Sequence, residues 1–177
     1  MLKAFAQLFQ KRDSGKLAEY LQWREVIFSA TSAQVDIVTD LPDIVYGVVV
    51  DLAHSDDFII TITAFPTGES SLRTTIGGGA IGLGSNDLIA EYAKHIVKLG
   101  QSLFNEAKSI NTNNLPKANK AYFYFLTTSG LRASTFTISD IESQRNHPFY
   151  EMFKRFLVIK AQSEELTKAS RNKQASN

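Results

Sequence analysis

Two periods of apolar residues run along the chain, and the switches between them set out its elements. Leu2, Phe5, Ala6 and Phe9 recur at helical spacing, and after Asp13-Ser14-Gly15 so do Leu17, Tyr20, Leu21, Arg24, Ile27 and Phe28. That pattern predicts two short helices or one broken helix. The period then falls to two. "IVYGVVVDLA" and "FIITITAF", rich in β-branched and aromatic residues, are joined by His54-Ser55-Asp56-Asp57 and read as a β-hairpin over 46–53 and 58–65. In its second strand Phe58, Ile60, Ile62 and Ala64 share one face, and Ile59, Thr61, Thr63 and Phe65 the other. "SSLRTTI" supplies a third strand beyond the turn at Pro66-Thr67-Gly68.

Helical spacing returns with Ile89, Tyr92, Ile96, Leu99 and Leu103, preceded by Ser85 as the expected cap and Asp87 in the first turn. This helix is expected to cover Phe58, Ile60 and Ile62. "INTNNLPKANK" reads as a loop, and "AYFYFLTTSGLRASTFTI" as a second hairpin turning at Ser129-Gly130. Pro148 opens a last helix carrying Phe149, Met152, Phe153, Phe156 and Leu157 on one side.

The order helix, three strands, helix, two strands, helix predicts an α+β domain over 1–166. Its sheet is antiparallel or mixed, with five to six strands and helices mainly on one face. Residues 167–177, poor in apolar side chains, read as a flexible tail. A sheet covered on one side leaves large residues of strands 58–65 and 121–127 facing outward, and these predict burial in a two-fold homodimer.

Composition narrows the function classes. With 19 Lys and Arg against 18 Asp and Glu, the chain carries no overall field that would gather nucleic acid. Without cysteine there is no thiolate metal site, disulfide or cysteine nucleophile, and a cytoplasmic address is the expectation. Even the apolar run "VYGVVVDLA" meets Asp51 and His54 within a strand length, so no membrane insertion is expected.

Two stretches carry candidate chemistry. Gly77-Gly78-Gly79-Ala80-Ile81-Gly82 matches G-x-G-x-x-G, but the motif works through a parallel βαβ unit and an acid about 20 residues on, and the preceding strands read as a meander. No dinucleotide or other cofactor is therefore expected. What stays open is a small anion or ligand held by Arg73, Gly77, Gly78, Gly79, Gly82, Gly84 and Ser85, using backbone amides ahead of a helix. Asp51, His54, Asp56 and Asp57 place four oxygen or imidazole ligands at a hairpin end, where a divalent cation could sit; the competing reading is a solvated turn. The aromatic strand at Tyr122-Phe123-Tyr124-Phe125 reads as core and not as an RNA-stacking platform, since the element order differs from an RNA-recognition motif.

No catalytic constellation emerges, and no G-x-S-x-G elbow is present. The sequence therefore favours a non-enzymatic interaction or chaperone-like protein whose partner is another protein or a peptide segment. The alternative is a small-molecule or anion-binding protein, with an enzyme as one form of it, using the loop 77–85. In element order alone the chain resembles the small dimeric chaperones of bacterial type III secretion, a resemblance of architecture that implies a holder of an extended partner segment. It carries over no functional residues.

Overall fold

A computed structural model describes residues 14–175, so the first expected helical stretch, Leu2 to Phe9, lies outside the described residues. The elements are helix α1 (Ser14–Ser29), strands β1 (Val45–Ala53), β2 (Ile59–Ala64), β3 (Ser70–Thr74) and β4 (Gly79–Ala80), helix α2 (Asp87–Leu103), strands β5 (Lys108–Ser109), β6 (Lys120–Thr127) and β7 (Gly130–Thr137), and helices α3 (Ile138–Ser143) and α4 (Pro148–Ala175). The seven strands form one antiparallel sheet in the order β4-β3-β2-β1-β6-β7-β5.

The α+β class and the antiparallel sheet agree with the sequence reading. The expected hairpin pairs as read, Val50 opposite Ile62 and Leu52 opposite Ile60. The strand count and element order do not agree: the described residues form seven strands and not five or six, because β4 and β5 are two-residue edge strands too short to show a period. The segment 167–175, read as a tail, continues α4. Lys160 and Glu164 pair at 2.7 Å one turn apart along this helix, the kind of contact that extends helix where apolar residues run out.

Strand alternation divides the sheet into two faces. On the first, Val48, Val50, Leu52, Ile60, Ile62, Leu72, Phe123 and Phe125 form one core with Ile89, Ala93 and Ile96 of α2 and with Phe149, Met152, Phe153 and Phe156 of α4. α2 lies close to the strands because Gly100 lets it: a Cβ there would stand 2.8 Å from Val48 Cγ2. The helix is capped by Asn86, whose Oδ1 accepts from Ile89 N at 3.1 Å, and not by Ser85.

The second face corrects the one-sided picture. Val49, Phe65, Tyr124 and Leu126 are buried there, with the partly buried Ile27 and Phe28 of α1 packed against them. Helices therefore take both faces, and of the residues whose exposure predicted a dimer Ile59, Phe65, Phe123, Phe125 and Tyr124 are buried within one chain, while Tyr122 is only partly covered. Most of the outward-facing strand surface that motivated self-association is therefore internal, while Leu157 of α4 stays exposed.

Candidate functional site

On the second face the cross-strand register lines up Tyr122 of β6, Asp51 of β1, Thr61 of β2 and Arg73 of β3 in one row. Asp51 is wholly buried. A carboxylate in that position requires a charged partner and further hydrogen bonds. α1 supplies both by presenting every fourth residue to the sheet, so that successive turns meet successive strands. Lys16 lies against the β3–β4 turn at Gly77. Tyr20 reaches Thr61 on β2, its Oη 2.5 Å from Thr61 Oγ1. Arg24 reaches Asp51 on β1, with Nη1 to Oδ1 at 2.7 Å and Nη2 to Oδ2 at 2.6 Å. Phe28 meets Tyr124 of β6 edge to face, ring centroids 5.0 Å apart.

The hydroxyl protons in this row have one arrangement. Thr61 Oγ1 donates to Asp51 Oδ1 at 2.6 Å, which leaves it to accept from Tyr20. The donors run from Tyr20 through Thr61 to the accepting carboxylate of Asp51, and Arg24 donates to it from the other side. The guanidinium also lies over the rings of Phe28 and Tyr124, at 4.6 and 5.4 Å from their centroids. Burial pushes the Tyr20 hydroxyl up to about 12, and the Asp51 charge adds to the shift. The same two causes raise Tyr124. Burial works against the Arg24 charge, but Asp51 outweighs it and holds the guanidinium protonated more firmly than usual.

α1 leaves part of this face open, and residues 111–119 cross it as a strap without regular structure. Two side chains hold the strap by its carbonyls: Arg24 Nη2 donates to Asn113 O at 3.0 Å and Tyr124 Oη to Asn114 O at 2.9 Å. Its far end is tied where Ala118 N donates to Asp56 Oδ1 at 2.9 Å. A groove of about 570 Å³ lies on the α1 side of the strap, lined by Arg24, Glu25, Phe28, Asn113, Asn114 and Leu115. A second, of about 520 Å³, lies on the β7 side, lined by Tyr122, Tyr124, Ala133, Thr135, Ile110 and Asn114 among others.

The residues singled out from sequence are placed as follows. Gly77, Gly78 and Gly79 all have positive φ and turn β3 tightly into β4, with Arg73 opposite Gly79. A Cβ on Gly79 would stand 2.0 Å from Leu72 O, so backbone approach accounts for that glycine. The amide of Gly77 is already given to Thr74 O, and Ser85 Oγ to Gly82 O. Gly82 is also left-handed, and Gly84 packs beside Glu69 and Gly68. Arg73 Nε is buried without a hydrogen-bond partner.

The four candidate metal ligands are not brought together. Asp51 is committed to Arg24 on the second face, His54 stacks on Phe58 at 5.7 Å, and Asp56 holds Ala118. Among the described residues no group of three or more His, Asp or Glu is placed to hold a metal ion. Nor, among them, is any helix long and apolar enough to cross a membrane.

Arg24, Tyr20 and Tyr124, which build this face, were not picked out from sequence as site residues. The available signal was Asp51 inside "VVVDLA", a carboxylate that a buried strand cannot hold alone, and Arg24 sharing a helical stripe with Tyr20 and Phe28. Compared with protein-family models, curated proteins and solved structures, the chain matches none of them.

Proposed function

We propose that this chain is a non-enzymatic binding protein that receives an extended segment of another polypeptide on the open part of its second sheet face. The observation that carries this reading is the tyrosine-floored groove beside β7, whose size and lining suit a protein segment. Tyr122 and Tyr124 offer broad apolar rings with polar tips, Ala133 and Thr135 leave room above β7, and Glu106 and Lys108 supply a mixed polar rim. The strap alongside supports it further, since this face already holds one irregular stretch of backbone by side-chain donors.

Site-directed photocrosslinking tests the reading. A photoreactive phenylalanine at Thr135, in cells that make the protein, is expected to yield an adduct with a second polypeptide. The same residue at Lys98, exposed on α2, is expected to yield none. No adduct at 135, or the same adducts at both positions, overturns the proposal.

A further inference from the structure

The two grooves on the second face meet at the strap, where Asn114 lines both. The strap lacks regular secondary structure, and Arg24 and Tyr124 each hold one of two successive carbonyls, Asn113 O and Asn114 O. We infer that the grooves are two halves of one trough, and that the strap lies where a bound segment lies, so that binding lifts the strap and gives its two donors to the incoming backbone. The inference rests on the polypeptide-binding reading above and adds to it the route of entry and the class of group recognised.

That group is a neutral carbonyl. The charge of Arg24 is already balanced by Asp51 at 2.6 to 2.7 Å, so a carboxylate brought to Nη2 would face the buried charge of Asp51. A peptide carbonyl would not. Tyr124 Oη, which burial and Asp51 keep protonated, likewise offers one donor suited to one carbonyl. Arg24 and Tyr124 thus recognise main chain and leave side-chain preference to the groove walls, as expected of a site that reads extended conformation more than sequence.

The native chain has no cysteine, so two introduced thiols can be joined cleanly. Glu25 on α1 and Leu115 on the strap both line the first groove. In a full-length chain carrying the photoreactive residue at 135 together with Glu25→Cys and Leu115→Cys, a bismaleimide ties the strap down. The tied chain is expected to lose the adduct, and the same chain with its thiols capped singly by N-ethylmaleimide to keep it. An adduct of equal yield in both overturns the inference while leaving the binding reading standing; an adduct missing from the capped chain and from the parent overturns the binding reading itself. Thiol labelling of the free protein gives a second measure. In a Leu115→Cys chain, Tyr124→Phe is expected to speed reaction with N-ethylmaleimide by roughly fivefold, the loss of one hydrogen bond that holds the strap, while a thiol at exposed Lys98→Cys reacts at an unchanged rate. Unchanged labelling at 115 overturns the role of Tyr124 as its latch.

Discussion

The two faces of the sheet are made by the same strands and are held by different physics. Toward α2 and α4, β1, β2 and β6 present Val48, Val50, Ile60, Ile62, Phe123 and Phe125, and the helices answer with Ile, Met and Phe. Toward α1 the alternate residues are Val49, Asp51, Thr61, Thr63, Tyr122 and Tyr124, and of the described side chains of α1 only Tyr20 and Arg24 are fully buried. Apolar contact is non-directional, so the first face gains area and close packing without depending on a single bond. Hydrogen bonds and ion pairs are directional, so the second face fixes how α1 is turned and placed, at the cost of desolvating a charge pair. Stability and precise placement are thus divided between the faces, and the two grooves beside the strap lie on the side that specifies position.

The largest expected effect comes from breaking the pair on the second face. Arg24→Met leaves Asp51 buried and uncompensated and should cost about 3–5 kcal/mol in urea unfolding. Adding Asp51→Leu should recover most of that, and a double variant as unstable as the single would show that Arg24 acts through packing alone. Next in size is the alkaline response. Because Tyr20 titrates near 12 in the fold and near 10 in the unfolded chain, its stabilisation is complete below pH 10 and drains away as the pH rises toward 12, a loss of about 2–3 kcal/mol. Tyr124 shifts in the same direction. Urea midpoints across this range should fall less steeply in Tyr20→Phe than in the parent, and parallel slopes would contradict it.

On the first face, Gly100→Val forces a side chain against Val48 and should cost about 1–3 kcal/mol by overpacking, with no effect on the alkaline slope. The smallest effect belongs to Tyr20→Phe at neutral pH, about 1 kcal/mol for one hydrogen bond removed from Thr61. Equal losses from Gly100→Val and Tyr20→Phe, with equal pH slopes, would erase the contrast between the faces.

How much of this was legible follows from how each element encodes itself. β2 announced both faces through its alternation, and α2 announced its buried stripe, because in each the pattern and the packing coincide. α1 did not: Lys16, Tyr20, Arg24 and Phe28 face the sheet at four-residue steps, yet three of them carry polar tips, and a hydrophobicity pattern cannot tell such a face from a solvated one. The one-sided sheet followed from that, and the expectation of a dimer rested on it. Asp51 illustrates the same limit at the site. Its neighbours in sequence, His54, Asp56 and Asp57, suggested a metal, while its true partner is 27 positions away. The glycine run was legible as a bend from the meander around it, whereas the strap was visible only as a polar loop, since nothing local says that Asn113 and Asn114 are held by their carbonyls.

The position of β1 in the sheet has a consequence for how fast the fold forms. β1 is flanked by β2, its hairpin neighbour, and by β6, which the chain reaches only after β3, β4, α2, β5 and the strap. The first pairing closes a short loop and the second a long one, so the entropy of closure falls on the middle of the sheet. Refolding should begin in the β1–β2–β3 meander and be limited by the arrival of β6. Phe123→Leu would then slow folding nearly in proportion to the stability it removes, while a comparable loss in α1, which docks on a face that β6 completes, would appear almost entirely as faster unfolding.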